Sequence, residues 1–339
     1  MMVKTFTAAA IAAVVLLPCG LQAQTVEQFY AGKTISMIIG FDVGGSLDVY
    51  GRLAARHLGN HIPGHPTIVP QNMPGASGLT AANYLYRAAA KDGAVLGVIH
   101  PNSAFAQVIG MKSIQYDARK FNWVGRLTSS NSVFYTWHSS PTKTLDDLMA
   151  RETVVGGIGP LTDGAIYSRM TNHVLGTKIK MIQGYKGTAA ANLALERGEI
   201  EGLFNIWEGM KSLNADWIRD GKINLVAQFV TKRHPELPQV PAIIEAAKTD
   251  EQRQVIRLFL STAEVGRTVL LPPDVPQDRV DAVRVAFVAM LKDPEFLAEA
   301  QKMKLALTPL DGEGLQKLNI DTFGASPKAV ETAQKIMSE

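Results

Sequence analysis

The chain has 339 residues, of which 46% are hydrophobic and 19% are charged, and this length is enough for two domains that each bury a core. The formal net charge of only +3 and the lack of a basic run exclude a typical nucleic-acid-binding protein. The single cysteine excludes an intramolecular disulfide, so folding does not depend on oxidation.

The first 23 residues predict a secretory signal peptide. The basic residue Lys4 precedes an apolar stretch at 8–17, which is followed by the helix breakers Pro18 and Gly20 and by the small residue Ala23. The apolar stretch is far shorter than the ~20 residues that a membrane span needs. We therefore expect a mature protein that is soluble in the periplasm.

The alternative to cleavage is a lipid anchor at Cys19, because residues 16–19 resemble the lipid-attachment box of bacterial export signals. A proline directly before the cysteine departs from that box and favours ordinary cleavage near Ala23. Cleavage removes the only thiol, and with it cysteine catalysis. It also removes one of the 34 basic residues, which leaves 33 against 31 acidic residues and a formal charge of +2.

Apolar runs typical of strands alternate with amphipathic helical segments along the rest of the chain. The predicted strands cover 35–41, 67–70, 95–100, 133–137, 153–158, 179–183, 201–206 and 223–230. The predicted helices cover 47–58, 79–90, 145–151, 165–175, 189–197, 279–292, 294–303 and 328–337. Near-continuous apolar strands separated by helices indicate an α/β fold with two mainly parallel sheets, each covered by helices.

The boundaries between the two predicted lobes follow from polar and proline-rich segments. The polar stretch 128–131 indicates the first crossing, and the proline-rich stretch 233–241 indicates a return. We therefore expect a discontinuous first lobe that comprises 24–127 and 239–339. The second lobe then comprises 128–238.

A glycine pair follows the first predicted strand. Gly44 and Gly45 let the backbone turn tightly and approach another molecule, while Ser46 can cap the next helix and Asp48 can complement its positive end. A helix N-terminus that is left partly open presents several N–H groups to an anion. Taken alone, this motif is more often only a turn in α/β proteins.

A second glycine-rich turn at 156–164 again joins an apolar strand to a helix, and Thr162 or Asp163 can cap that helix. If both turns lie at the carboxyl ends of sheets that face one another, both helix N-termini point into one cleft. Backbone donors alone could then hold a ligand carboxylate there, without any arginine.

Seven segments in order resemble motifs of one known family, the solute-binding proteins of tripartite tricarboxylate transporters, or Bug receptors. The first loop resembles the family pattern Pro-Phe-x-x-Gly-Gly-x-x-Asp and reads Gly40-Phe41-Asp42-Val43-Gly44-Gly45-Ser46-Leu47-Asp48. The other similar segments are 71–78, 91–93, 156–164, 184–187, 198–201 and 237–241. The resemblance implies a periplasmic binding protein fold with a ligand cleft between two lobes.

The resemblance also implies that the first loop and the 156–164 loop grip a ligand carboxylate through amides, hydroxyls and ordered water. On this sequence the implied ligand-binding residues are Phe41, Asp42, Val43, Gly44, Gly45, Ser46, Asp48, Ile158, Gly159, Thr162 and Asp163. Two departures matter, because Asp42 replaces a proline or small residue and the second loop lacks the serine and histidine of many relatives. A negative Asp42 near a carboxylate costs Coulomb energy unless it points away or meets a ligand donor.

Five further residues follow predicted strands and are candidates for the cleft. Asn102 and Ser103 could reach it, although helix capping explains them equally well. Tyr185, Asn205 and Trp207 could line the far end of a pocket and select ligands by shape. The alternative for Trp207 is a place in the core of the second lobe.

Three histidines, His57, His61 and His65, are spaced by four residues and could form a metal site on one continuous helix. Glycines and a proline at 59, 63 and 64 break that helix, so we expect surface histidines and no metal. No nucleophile elbow, phosphate loop or zinc-protease motif occurs, and no cofactor is indicated.

The sequence therefore predicts a receptor and not an enzyme. It is expected to be a monomer that captures a small organic carboxylate by hinge closure and delivers it to the subunits of a tripartite tricarboxylate-type membrane transporter. Two alternatives remain open: a receptor that signals to a membrane sensor kinase, and an exported α/β hydrolase. The carboxylate itself, aromatic or aliphatic, with one acid group or two, is not specified by the sequence.

Overall fold

The computed structural model describes residues 24–159 and 162–338, so the predicted signal peptide and the alternative anchor at Cys19 lie outside the described residues. The strands are β1 (Thr34–Ile39), β2 (Thr67–Asn72), β3 (Val95–Val98), β4 (Asn122–Thr128), β5 (Ser132–Trp137), β6 (Glu152–Gly157), β7 (Lys178–Gln183), β8 (Gly202–Ile206), β9 (Ile223–Phe229), β10 (Arg267–Leu271) and β11 (Leu310–Asp311).

Helices cover the faces of the sheets and connect most of the strands. They are α1 (Val26–Tyr30), α2 (Ser46–Leu58), α3 (Leu79–Arg87), α4 (Ser103–Val108), α5 (Leu145–Ala150), α6 (Asp163–Leu175), α7 (Thr188–Glu196), α8 (Trp207–Leu213), α9 (Ala215–Arg219), α10 (Asp250–Val265), α11 (Gln277–Met290), α12 (Pro294–Lys302), α13 (Gly312–Thr322) and α14 (Pro327–Ser338). No helix in the described ranges is long and apolar enough to cross a membrane.

The strands form two sheets, which confirms the predicted two-lobed α/β fold. The first sheet has the order β11-β4-β10-β3-β1-β2, and the second has the order β7-β6-β8-β5-β9. In the first, β1 is parallel to β2 and β3, while β10 is antiparallel to β3 and β4. In the second, β6 is parallel to β7 and β8, while β5 is antiparallel to β8 and β9.

Both sheets are therefore mixed, which corrects the prediction of mainly parallel sheets. Parallel neighbours need a crossover connection, usually a helix, and the βα units of each lobe supply it. The antiparallel strands β5 and β10 instead enter their sheets directly from the other lobe. The hydrophobic periodicity of a single strand does not show from which lobe the chain enters the sheet.

Within the described ranges, three strands (β4, β10 and β11) and six helices (α1, α4, α8, α9, α10 and α13) were not predicted. The strand β4 contains Gly125, which weakens its β pattern, yet an added Cβ there would lie 2.2 Å from the Phe287 ring. This glycine therefore makes room for a core side chain. The helix α10 has a recognisable start, because Thr249 and Gln252 form a capping box in which each side chain bonds the backbone of the other.

The chain crosses between the lobes at 129–131, returns at Gly266, and crosses again at 323–326 to place α14 beside α6 and α10. The first crossing includes residues of the polar stretch 128–131. The return does not lie near residue 239, because 239–265 packs with the second sheet. There the Gln228 N–H donates to the Pro241 carbonyl at 2.9 Å, and buried side chains of α10 join the second-lobe core.

Gly266 lies where the first two crossings contact each other, and it allows their backbones to approach closely. Its backbone has φ +64° and ψ −139°, a conformation open essentially only to glycine, and an added Cβ would lie 2.1 Å from the Thr128 carbonyl oxygen. Beside it, the Ser130 N–H donates to the Ala263 carbonyl at 2.9 Å, and the Ser129 N–H donates to the Thr308 hydroxyl at 2.7 Å. These contacts form a compact junction between the lobes.

Candidate functional site

The first glycine turn leaves the N-terminus of α2 open. Gly44 has φ +88°, which favours glycine, and Gly45 is the extended N-cap residue. No side chain in the described part of the chain caps this helix. The first N–H groups of a helix have no partner within the helix, so those of α2 remain able to bind an anion.

Asp48 stabilises this turn from beneath and does not face a ligand. Its side chain is 2% exposed and accepts hydrogen bonds from the Gly44 N–H at 2.9 Å, from Arg52 Nε at 2.9 Å and from Asn72 Nδ2 at 2.7 Å. Burial favours the neutral acid, but the bonds from Arg52, Gly44 and Asn72 outweigh it and lower the pKa of the Asp48 carboxyl. The Asp48 carboxylate therefore supports the turn, because it accepts hydrogen bonds from three of its neighbours.

Replacing Asp48 with Asn should destabilise the fold by about 2 kcal/mol at pH 7, because three donors lose a charged acceptor. A folded-state pKa below the unfolded value makes this contribution complete above pH ~4, and it is lost as the pH falls further. Urea unfolding at pH 7 and pH 3 should therefore show a stability gap that shrinks in acid. The exposed neighbour Asp42, changed to Asn, provides the matched control.

The second glycine turn leaves the N-terminus of α6 open in the same way. Thr162 is the extended N-cap residue, and its hydroxyl donates back to the Gly159 carbonyl at 2.8 Å. Within the described ranges no side chain caps α6. At the first helical position, Asp163 accepts a hydrogen bond from the Ser132 hydroxyl at 3.4 Å, and burial raises the pKa of its carboxyl against the opposing charge of Arg267.

Arg267 lies at the junction of the lobes and was missed by the sequence analysis. Its Nε donates to the Ser46 hydroxyl of α2 at 3.1 Å, and its Nη1 donates to the Ser130 hydroxyl of the first crossing. Burial lowers the pKa of this guanidinium, while Asp163 and Glu208 oppose the shift through space. An arginine stays charged in proteins, so this buried guanidinium keeps its positive charge.

Two cavities join the two glycine turns into one cleft. The first, which we call the arginine cavity, has a volume of about 450 Å³ and is lined by Ser46, Tyr50 and Arg267 among others. The second, which we call the α6 cavity, has a volume of about 350 Å³ and is lined by Thr162 and Asp163. Asn205 and Ile206 line both cavities, so the cavity beside the N-terminus of α2 and the cavity beside the N-terminus of α6 are neighbours.

His100 contributes a neutral donor to the α6 cavity. Burial and the charge of Arg267 lower the pKa of its imidazole to about 4. Its Nδ1 accepts the Asn102 N–H at 3.0 Å, so the neutral ring carries its proton on Nε2. The sequence analysis passed over His100 in favour of the two residues just beyond it, although it follows directly from strand β3.

The structure places the other predicted residues in different surroundings. Asn205 lines the cleft as predicted. Trp207 is 5% exposed and donates from Nε1 to Glu236 Oε2 at 2.7 Å, so it belongs to the core of the second lobe, as its alternative proposed. Tyr185 packs beside Gly156 and contributes to neither cavity.

The first-loop residues before Ser46 lie outside both cavities. Phe41 packs its ring against His100 at a centroid distance of 5.4 Å, and Ser103 is buried, with its hydroxyl donating to the His100 carbonyl at 2.5 Å. The exposed residues among them, which could contact a ligand only from the rim of the cleft, are Asp42, Val43, Gly44 and Gly45. Ile158 of the second glycine turn is also exposed and lines the α6 cavity.

The three evenly spaced histidines do not share a site. His57 Nε2 bonds Glu299 at 2.6 Å, His61 Nε2 bonds Asp293 at 2.9 Å, and His65 Nδ1 bonds the Asn60 carbonyl at 2.9 Å. His57 is only 7% exposed, which corrects the prediction of a surface residue, because it packs on α12. In the described ranges no group of acids, histidines or cysteines could hold a metal ion.

Comparison with known proteins places this fold among bacterial receptors. Residues 52–321 match the family described as tripartite tricarboxylate transporter family receptor, TctC. The chain is 28% identical over 249 residues to protein BugT of Bordetella pertussis, which covers 70% of the chain and 72% of that relative.

Two solved structures share the fold. A TctC solute-binding protein from Polaromonas, without ligand, superposes with a TM-score of 0.70 at 17% identity, covering 91% of this chain and 99% of that one. MatC from Rhodopseudomonas palustris, with bound malate, superposes with a TM-score of 0.61 at 20% identity, covering 89% and 99%.

Proposed function

Because the chain belongs to the tripartite tricarboxylate transporter receptor family, as its motifs predict, we propose that it captures a small organic carboxylate in the cleft between its lobes. The receptor then delivers this ligand from the periplasm to the membrane subunits of its transporter. The malate held by MatC, a protein of the same fold, supports a carboxylate as the ligand.

The observation that carries this proposal is the position of Arg267 between two uncapped helix N-termini. Its guanidinium is held by Ser46 and Ser130, and this leaves one terminal nitrogen without a protein hydrogen bond in the described part of the chain. Arginine pairs with carboxylate by parallel, charge-assisted hydrogen bonds. The open N–H groups of α2 add further donors for the same anion.

Closure of the lobes would complete the site. The N-terminus of α6, Asn205 and the Nε2–H of His100 come from different lobes and line the same cavity. A ligand that touches donors from both lobes gains contacts only in the closed form and therefore stabilises that form. The open N-termini, Arg267, His100 and Asn205 are thus the residues we assign to binding.

Asp163 is compatible with an anionic ligand because burial already raises the pKa of its carboxyl. A nearby ligand carboxylate would raise that pKa further, since two like charges in one site disfavour ionisation of both. The protonated acid can donate a hydrogen bond, so Asp163 would assist the ligand rather than repel it.

We propose that the arginine cavity binds its ligand without catalysis. A serine nucleophile needs an adjacent base to accept its proton. The hydroxyls of Ser46 and Ser130 bond instead to Arg267, which cannot act as a base. We therefore propose that the ligand leaves the protein unchanged. A deletion strain tested for uptake and for gene induction distinguishes transport from signalling to a sensor kinase.

A thermal-shift screen across organic acids, followed by calorimetry and mass spectrometry, tests the receptor role. An acid present at about 100 times its dissociation constant should add about 2.7 kcal/mol to the folded state, and the acid should be recovered intact. A panel without any shift, or recovery of a chemically altered acid, would overturn the proposal. Sugars and amines of similar size are the matched negative ligands.

A further inference from the structure

A third cavity lies between the lobes and is almost entirely apolar. It has a volume of about 290 Å³ and is bounded by α3 and α4 of the first lobe and by α6 and α14. Its apolar wall includes Leu79, Phe105, Met111, Ile166 and Met337. We call it the tail cavity.

The tail cavity lies next to the α6 cavity. His100 lines both the α6 cavity and the tail cavity, so its ring is the wall that the two share. Ile166 lies on α6 one helical turn after Asp163, which faces the α6 cavity. The arginine cavity, the α6 cavity and the tail cavity are therefore neighbours in that order, the first two sharing Asn205 and the last two sharing His100.

The apolar end holds no group that could neutralise a second carboxylate. Its described lining residues include no lysine or arginine, and the pKa of about 4 keeps His100 neutral at physiological pH. The one orphaned polar atom is Asn102 Oδ1, which is buried without a hydrogen-bond partner in the described part of the chain and is an acceptor. A second carboxylate here would meet apolar groups and, as donors, only the neutral His100 Nε2–H and the Asn102 amide, which do not neutralise its charge, so burying it is unfavourable.

We propose that the ligand of this receptor is a monocarboxylate with an apolar tail, a medium-length acyl chain or a phenylalkyl group, rather than a dicarboxylate. Its carboxylate lies between Arg267 and the open helix N-termini, and its tail fills the tail cavity. An apolar cavity of about 150 Å³ can hold benzene, so about 290 Å³ is sufficient for such a tail. This inference rests on the proposed carboxylate site and assigns its ligand class.

Calorimetry with octanoate and suberate tests the inference, because these acids have the same carbon chain and differ only at the far end. We expect octanoate to bind at least 100-fold more tightly than suberate, and at least 10-fold more tightly than butyrate, which lacks the tail. Equal or tighter binding of suberate would overturn the inference while leaving the receptor role intact. If none of these three acids and no acid of the wider panel shows measurable binding, the result would instead count against the carboxylate site itself.

A charge placed at the rim of the tail cavity should change the preference. Met111 is 38% exposed there, so Met111→Lys is compatible with folding and supplies the missing cation. We expect this variant to narrow the ratio of octanoate to suberate affinity by at least 10-fold. The control is Val285→Lys, because Val285 on α11 is 70% exposed and lies outside the cavity, and it should leave the ratio of octanoate to suberate affinity unchanged. The same ratio in both variants would contradict the inference.

Discussion

Replacing Arg267 with Ala should weaken carboxylate binding by about 100-fold or more, which corresponds to about 3 kcal/mol. The substitution removes the only guanidinium that lines either polar cavity of the described cleft. It also removes a positive charge that opposes Asp163 and Glu208 through space, so the cleft becomes more negative toward an incoming anion. Calorimetry with the tightest acid of the panel measures the loss directly.

Two variants separate this effect from general damage. Arg267→Lys keeps the charge but loses the planar pair of donors, so we expect an intermediate loss of about 10-fold. Arg56→Ala removes an arginine of α2 whose partner is Glu299 at 2.7 Å, outside both cavities, and should leave the dissociation constant unchanged. A folded Arg267→Ala protein that binds as tightly as the parent would remove Arg267 from the site.

Replacing Gly45 with Val should abolish measurable binding while the protein still folds. The backbone at Gly45 has φ −73° and ψ 162°, which any residue adopts, and an added Cβ meets only the Asp42 carbonyl oxygen at an ordinary 3.6 Å. A branched side chain at the N-cap covers the open N–H groups of α2 and blocks the approach of an anion. The cost to stability is limited to about 1 kcal/mol, the usual penalty of a poor N-cap residue.

The series Gly45→Ala and Gly45→Val provides the control, because alanine fits the same backbone but covers less of the helix end. Affinity should fall in steps from Gly to Ala to Val, while the melting temperature changes by only a few degrees. If the valine variant folds and keeps its dissociation constant, the N-terminus of α2 does not contact the ligand.

The sequence predicted the parts of the site that depend on local backbone. Both glycine turns join a strand to a helix at the positions expected, because tight turns and open helix ends depend on only a few adjacent residues. The strands β1 and β6 and the helices α2 and α6 follow the predicted ranges within two residues at nearly every end. These elements carry their own apolar periodicity.

The missed parts depend on contacts between distant segments. Arg267 could not be placed because β10 is a short run between a helix and two prolines, and only its pairing with β3 and β4 brings it to the cleft. His100 acquires its lowered pKa from burial and from that same arginine. The tail cavity likewise needs α4, α6 and α14 together, which are separated by most of the chain.

The junction around Gly266 assigns different thermodynamic roles to the two ends of the cleft. Arg267 follows Gly266 directly and bonds the first crossing through Ser130, so in the proposed closure it would lie at the pivot and keep its place. A group at the pivot attracts the anion equally in both states and cannot bias their populations. The contacts of the ligand with α6 and with the wall of the tail cavity would therefore favour the closed receptor, which a transporter would need to recognise. Ligands that differ at these contacts should trigger release to different extents even at equal affinity.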